Sequence, residues 1–164
     1  MMNGIPMAAL PDGEGVAKFF STTLRREVTA TAVKPTPDAN LIICGHFVNG
    51  AKILIGGCFG DKALAAYAGA AFSVIPADVA RESLKAPELD EISLENFAEI
   101  LNICSGVFDG GSDKRVTLST IEYPGKPRSD ATMRMLKNPV KRMDLELDIA
   151  GYGKGRITFA LLPA

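Results

Sequence analysis

Residues 40–59, NLIICGHFVNGAKILIGGCF, contain the sequence of a β-hairpin. Apolar and β-branched residues lie on both sides of Asn49-Gly50, and this dipeptide between two such segments is the strongest short-range hairpin signal. Residues 143–162, MDLELDIAGYGKGRITFALL, repeat the pattern, with Gly153 at the position that corresponds to Gly50. Two such hairpins in one chain predict a largely antiparallel sheet.

A helix is predicted ahead of each hairpin. Apolar residues at helical spacing place the first helix over 13–24. They place a central helix from near Asp90 or Ser93, with its end at Gly110-Gly111, because glycine is a common stop at a helix C-terminus. A single strand, EVTATAV or RVTLSTIEY, follows each of the two helices.

The two halves of the chain therefore share one order of elements. EGVAKFFS (14–21) aligns with ENFAEILN (95–102), and the order helix–strand–strand–strand occurs over about 13–59 and again over about 93–162, although few residues are identical. We predict an α+β fold and a single domain over 1–164. Its duplicated α-β-β-β halves form one largely antiparallel sheet with helices packed on one face.

Shorter segments connect these elements. The alanine- and glycine-rich stretch 61–72 and the stretch 76–86 are predicted helices between the two halves. PTPDAN (35–40) and DGGSDK (109–114) are predicted turns, and MRMLKNP (133–139) is predicted to be a basic turn.

The composition argues against several classes of protein. Apolar residues make up 47% and charged residues 23% of the chain, and its formal net charge is −1. This balance lacks the positive charge with which proteins bind nucleic acid or an acidic membrane surface. The start of the sequence lacks the features of a secretory signal, and the apolar segment 63–77 is too short to cross a bilayer. We expect a cytoplasmic protein that binds neither nucleic acid nor membrane.

The three cysteines, Cys44, Cys58 and Cys104, are odd in number, far apart and set in apolar surroundings. This spacing favours buried thiols in a reducing cytoplasm over a disulfide framework or a zinc site. His46 is the only histidine, and we interpret it as a packing or surface residue because a lone histidine cannot complete a triad or a metal site.

A basic cluster near the C-terminus consists of Arg134, Lys137, Lys141 and Arg142. No aromatic residues are interleaved with it for stacking on bases, so we interpret it as a solvated face. Contact with an acidic patch on a partner protein is the alternative.

The central helix carries a polar stripe. At about 100° per residue, Glu95, Glu99, Asn102 and Gly106 fall within roughly 60° of one another, opposite the apolar residues that must face the sheet. Solvation of a helix face explains the glutamates. It explains Asn102 and Gly106 less well, because in mid-helix they cost about 0.7 and about 1 kcal/mol relative to alanine. A carboxamide at fixed height and a glycine that leaves clearance make the stripe a candidate site.

The first helix lacks this pair of residues. In the alignment of the two halves, Lys18 stands at the position of Glu99, and Ser21 stands at the position of Asn102. We therefore expect one active surface rather than two.

The segment ENFAEILNICSG of the central helix resembles the signature helix of the CheC/CheX/FliY family of chemotaxis phosphatases. Glu95, Glu99 and Asn102 match the family pattern, and Gly106 matches a glycine that commonly follows it. The duplicated layout extends the resemblance over nearly the whole chain, and a single motif in the second half resembles CheX more than the two-site CheC. The chain departs from the pattern at Glu95, where Asp or Ser is usual, and at Val107, where Asn is frequent.

This resemblance implies hydrolysis of the aspartyl phosphate on a CheY-type response regulator, in chemotaxis or a related two-component pathway. Asn102 would orient the attacking water and Glu99 would pair with the regulator's active-site lysine, so these two are the catalytic candidates. Glu95 and Gly106 would contact the partner. The resemblance implies no cofactor of the chain's own, Mg²⁺ on the partner receiver domain, and a homodimer in which the closing strand ending LLPA is a candidate for pairing between subunits.

Two other functions fit parts of the sequence. A non-catalytic module of the same fold, like a flagellar switch protein, would bind the regulator without dephosphorylating it. A small-ligand domain would use the Gly/Ala-rich helix 63–72 to leave a closed apolar pocket in the core. The retention of Glu99 and Asn102 favours the phosphatase, because a scaffold needs no amide at that place.

Overall fold

A computed structural model describes residues 8–108 and 115–163 of the chain. The described elements are α1 (Gly13–Leu24), β1 (Val28–Ala32), β2 (Leu41–Val48), β3 (Leu54–Asp61), α2 (Lys62–Phe72), α3 (Ala77–Ser83), α4 (Glu91–Ile103), β4 (Thr117–Glu122), α5 (Asp130–Lys137), β5 (Lys141–Ile149) and β6 (Gly153–Leu161). Short 3₁₀ turns cover Asp38–Asn40 and Cys104–Val107. The predicted turn at 109–114 lies outside the described residues. In the described part of the chain, no helix combines the length and the apolar character needed to cross a bilayer.

Both predicted hairpins are present. β2 pairs with β3 and β5 pairs with β6, in each case antiparallel. The first connection is longer than the two-residue turn that Asn-Gly favours, since β3 begins only at Leu54. The Asn49 side-chain oxygen accepts hydrogen bonds from the N–H groups of Ala51 (2.9 Å) and Ile53 (3.1 Å), and the left-handed residue is Lys52, with φ of 65°.

The six strands form one antiparallel sheet in the order β1-β5-β6-β3-β2-β4. The single strand of each half pairs with the hairpin of the other half, β1 with β5 and β4 with β2, and the two hairpins meet where β3 pairs with β6. When β1 is exchanged with β4, β2 with β5 and β3 with β6, the result is the same strand order counted from the other edge of the sheet. The predicted α+β fold with a largely antiparallel sheet is confirmed, and a duplication would produce this symmetry; common ancestry of the halves stays a prediction.

The closing strand does not have a free edge. β6 is hydrogen-bonded to β5 on one side and to β3 on the other, so it cannot pair across subunits as the sequence suggested. The edges of the sheet are β1 and β4. A homodimer stays a prediction and would need another surface.

Helices α1, α2 and α4 cover one face of the sheet, as predicted, and enclose the larger core cluster around Phe20, Phe97 and Phe159. The small residues of α2 bring it close to α4. A Cβ added to Gly69 would lie 3.0 Å from the carbonyl oxygen of Ser93 and 3.3 Å from the Cβ of Asn96. The Gly/Ala-rich helix is therefore packed directly against its neighbour, and the prediction that it leaves space for a ligand is wrong.

Residues 133–139 do not form the predicted basic turn. They belong largely to α5, a helix opened by Ser129, whose hydroxyl accepts a hydrogen bond from the N–H of Thr132 at 3.2 Å. Met135 and Leu136 pack with Phe59 in a second, smaller apolar cluster. Successive residues of β3 point to opposite faces of a strand, and Cys58 belongs to the larger cluster, so α5 covers the opposite face of the sheet.

His46 is a packing residue, as predicted. It is buried, with its Nε2 atom 2.7 Å from the Thr132 hydroxyl and 3.5 Å from a carboxylate oxygen of Glu122. Burial lowers the pKa of His46, and the neighbouring Glu122 carboxylate only partly opposes that effect. The histidine links β2, β4 and α5.

One residue of the basic cluster, Arg142, is used inside the fold. Lys137 and Arg142 both bind the carboxylate of Asp38, and Arg142 also binds Asp144, which is buried. Burial alone would raise the pKa of Asp144. Hydrogen bonds from Arg142, from Thr158 and from a backbone N–H outweigh it, so the pKa lies below its usual range. Arg142 therefore does not belong to the solvated face predicted from sequence, whereas Arg134, Lys137 and Lys141 are exposed.

Asp144→Asn tests this ion pair, with Asp148→Asn, at an exposed position of the same strand, as its matched control. Asp144→Asn removes a buried, hydrogen-bonded carboxylate and leaves Arg142 with the partly exposed Asp38 as its carboxylate partner, so it should lower the free energy of unfolding at pH 7 by about 2 kcal/mol. A carboxylate whose pKa is lowered by folding stabilises the folded state at pH values above the ordinary Asp pKa of about 3.9. This contribution is lost as the pH falls through the pKa that the group has in the folded state. Urea unfolding should show a gap between wild type and variant that narrows below about pH 4. An equal loss in Asp148→Asn would contradict the assignment.

All three cysteines are buried, as the sequence predicted. Burial raises the pKa of Cys44 and of Cys58, and contact with Cys104 raises that of Cys58 further. Since the thiolate is the reactive form, the native thiols should be inert. A thiol reagent at pH 8 should label none of them within minutes in the native protein and all of them in denaturant. Rapid labelling of any one thiol in the native protein would show an opening that the structure does not contain.

Candidate functional site on helix α4

Helix α4 is fixed at its start by Asp90. One carboxylate oxygen of Asp90 accepts a hydrogen bond from the N–H of Ser93 at 3.0 Å, and the other accepts one from the Ser93 hydroxyl at 2.7 Å. This is the standard way to satisfy the free N–H groups of a helix N-terminus. Phe97, Ile100 and Leu101 are fully buried, which turns the opposite side of the helix outward.

The α-helix is shorter than predicted. It ends at Ile103 and continues as the 3₁₀ turn Cys104–Val107, and Phe108 has extended backbone. The tighter turn brings Cys104 into the core and lets the Phe108 ring pack 4.8 Å from that of Phe47. The predicted stop, Gly110-Gly111, lies outside the described residues. Asn102 is therefore in the last turn of α4, where a poor helix former costs less than in mid-helix.

Glu95, Glu99, Asn102 and Gly106 are all exposed on this outer side, as the helical wheel predicted. No hydrogen bond or ion pair joins the side chain of Glu95, Glu99 or Asn102 to another residue within 8–108 or 115–163. Side chains three residues apart on a helix have Cβ atoms about 5–6 Å apart, so Glu99 and Asn102 can act on neighbouring atoms of one partner. The carboxylate and the carboxamide are therefore both available to a second molecule.

Gly106 is not required by the fold. It lies in the 3₁₀ turn after α4, and a Cβ added to it would meet no atom within 4 Å. Its exposure leaves an open approach to the end of the helix. The clearance that the sequence suggested is present.

The corresponding side chains of α1 are arranged differently. Lys18 is exposed, but the Ser21 hydroxyl donates to the carbonyl of Val28 (3.3 Å) and accepts from the N–H of Val28 (3.0 Å). Ser21 therefore joins α1 to β1 and is engaged in the fold. This arrangement fits the expectation that only the second half carries an active surface.

A groove between α1 and the turn after α4 adjoins the polar stripe. It has a volume of about 490 Å³ and is lined by residues that include Lys18, Phe19, Ile103, Gly106 and Val107. The sequence did not predict this groove, because its two walls come from the two halves of the chain. The sequence feature that could have indicated the groove is Ile103, an apolar residue next to Asn102 that is 42% exposed in the structure.

No metal site accompanies the stripe. Within the part of the chain that the structure describes, no group of three or more His, Cys, Asp or Glu side chains is placed to hold a metal ion.

The sheet and its helices define the fold class of the CheC/CheX/FliY proteins. The chain is similar over 93% of its length to 83% of the chain of Thermotoga maritima FliY, with 15% identity and a TM-score of 0.58. A chain of the FliM–SpeE complex from H. pylori matches 92% of this chain over 81% of its own, with 11% identity and a TM-score of 0.59. The FliM middle domain of Vibrio alginolyticus matches 92% over 88%, with 9% identity and a TM-score of 0.54.

No protein-family model and no curated protein matches the sequence. The resemblance read from the helix motif is thus confirmed at the level of the fold. At these identities the fold alone is shared, and the activity has to be argued from the site.

Gly106→Ala should leave the fold intact, because the added methyl group enters open space. The loss of glycine's freedom in the unfolded chain should raise the free energy of unfolding by up to about 1 kcal/mol. The matched control is Gly60→Ala on β3, where the Cβ would lie 2.8 Å from the Phe97 ring and overpacking should destabilise by more than about 1 kcal/mol. Thermal unfolding of both variants checks the contrast. A lower Tm for Gly106→Ala would mean that the fold needs this glycine.

Proposed function

We propose that this protein is a cytoplasmic phosphatase that hydrolyses the aspartyl phosphate of a CheY-type receiver domain. The observation that carries the proposal is the exposed pair Glu99 and Asn102. Both lie on the outward side of one helix, neither is engaged by another described residue, and the fold is shared with Thermotoga maritima FliY. Chemotaxis or a related two-component pathway is the setting that we infer.

The chemistry requires little of this chain. An acyl phosphate has a good leaving group, and the receiver carries its own Mg²⁺, so the missing component is a water molecule held in line with the phosphorus–oxygen bond that breaks. A carboxamide suits this task because its oxygen can accept hydrogen bonds and its NH₂ can donate two. Asn102 therefore orients the water. No general base from this chain is needed.

Glu99 fixes the position of the Asn102 amide in the active site of the receiver. As an exposed carboxylate one helical turn before Asn102, it can pair with the active-site lysine of the receiver. Glu95 extends the acidic stripe and supports docking. The open space at Gly106 lets the partner surface approach the end of the helix.

A non-catalytic binding module is the second candidate, and the observation in its favour is the similarity to FliM. The H. pylori structures contain FliM in complex with SpeE and with FliG, which shows that this fold also occurs in protein–protein assemblies. Such a module would use the same helix face without needing the amide. Stimulation of dephosphorylation by the wild-type chain separates the two functions, and the Asn102 variant tests the role of the amide.

Asn102→Ala is the decisive variant. A phosphorylated CheY-type receiver should lose its phosphate faster with the wild-type chain and Mg²⁺ present, and the variant should reduce the stimulated rate by about 100-fold because the water is no longer positioned. Alanine is the better helix former, so the variant should be at least as stable as the wild type. Decay of the radiolabelled phosphoryl group measures the rate.

Asn138→Ala is the matched control, since Asn138 is an exposed asparagine at the end of α5, on the opposite face of the sheet. It should retain the wild-type rate. Equal stimulation by Asn102→Ala and wild type would remove Asn102 from the mechanism. Binding of the receiver without any stimulation would favour the non-catalytic module.

A further inference from the structure

We infer that the groove between α1 and the turn after α4 receives an apolar side chain of the phosphorylated receiver domain. In this way it helps to select the receiver on which Asn102 acts. This inference rests on the proposed function and extends it from the reacting atoms to the choice of partner.

The groove has the properties of a docking surface. Phe19 of α1 forms one wall, Ile103 and Val107 form the other, and Gly106 leaves it open. Single exposed apolar residues are common on soluble proteins, whereas apolar residues gathered in one concavity mark a place where a partner side chain is buried. Ile103 is 42% exposed, whereas Phe97, Ile100 and Leu101 of the same helix are fully buried.

The position of the groove determines its occupant. Ile103 follows Asn102 directly in the chain, and Gly106 lies about one turn further on. A specific interface buries about 800 Å² on each partner, a patch with a radius of about 16 Å. A receiver whose phosphate reaches Asn102 must therefore cover the groove as well.

Charge also favours a receiver over a second copy of this chain. Lys18 lines the groove and offers a positive charge to an acidic group on a docked receiver. A second copy packed symmetrically on this face would bring Glu95 and Glu99 toward the same residues of its partner. Such like-charge contact is unfavourable at an interface.

Two variants test the groove against one control. Ile103→Gln removes the apolar wall without adding a charge that could pair with Glu99, and Gly106→Leu fills the groove without removing a contact. Val79→Gln is the control, since Val79 is 51% exposed on α3 and does not line the groove. A CheY-type receiver from the same organism, held in its phosphorylated form with beryllofluoride and Mg²⁺, is titrated into each variant, and the decay rate is measured in parallel.

Ile103→Gln and Gly106→Leu should each raise the Kd for the receiver about tenfold, as expected for loss of a buried apolar anchor. For Ile103→Gln the decay rate at saturating receiver should stay close to that of wild type, so that its effect appears in KM and not in kcat. Val79→Gln should match the wild type in both. Circular dichroism verifies that each variant is folded.

Each other outcome has a defined meaning. If the wild type accelerates decay while both groove variants bind like the wild type, the inference is wrong and the proposed function stands. If the wild type neither binds nor dephosphorylates any receiver of the organism, the proposed function fails and the inference fails with it. If Ile103→Gln instead converts a dimer to a monomer in sedimentation and leaves the Kd unchanged, the groove is a self-interface.

Discussion

The structure depends on direct contact between helices and the two central strands, β3 and β6. These strands join the halves of the sheet, and glycines on them allow the helices to lie against the backbone. A Cβ on Gly155 would lie 2.4 Å from Leu64 of α2, and a Cβ on Gly60 would lie 2.8 Å from the Phe97 ring of α4. Because Phe97 is seated in this way, the apolar side of α4 is fully covered. Only then does the opposite side present Glu99 and Asn102 to solvent at a fixed orientation.

Much of the fold could be predicted because its strongest patterns are local. The first helix has the predicted bounds, 13–24, and strand β2 lies within the predicted hairpin, 40–59. Features set by contacts between distant segments could not be predicted. Helix α5 has only eight residues and is oriented by Met135, whose partners on the sheet come from other parts of the chain. The early end of α4 is also set by contacts between distant segments, because Cys104 is buried in a core that residues from both halves of the chain enclose.

The two halves show how one position can serve the fold in one copy and remain free in the other. At the position of Ser21 the side chain bonds to β1, whereas Asn102 in the second half stays exposed. Sequence alignment of the halves identified this difference, but it could not say which of the two side chains is engaged. It also could not show the groove, because the distance between α1 and the end of α4 is set by the sheet beneath them.

The exchange of strands between the halves has a consequence for how the chain acquires its structure. Val28 of β1 pairs with Ile149 of β5, so β1 finds its neighbour only after the whole of the sequence between them has been made. Contacts between residues so far apart in sequence give a high contact order, and proteins dominated by such contacts fold in roughly milliseconds to seconds rather than microseconds. Neither half contains a complete sheet by itself. On the ribosome, the first half must therefore wait with an unpaired edge strand, the state in which a nascent chain is most exposed to pairing with a neighbouring copy.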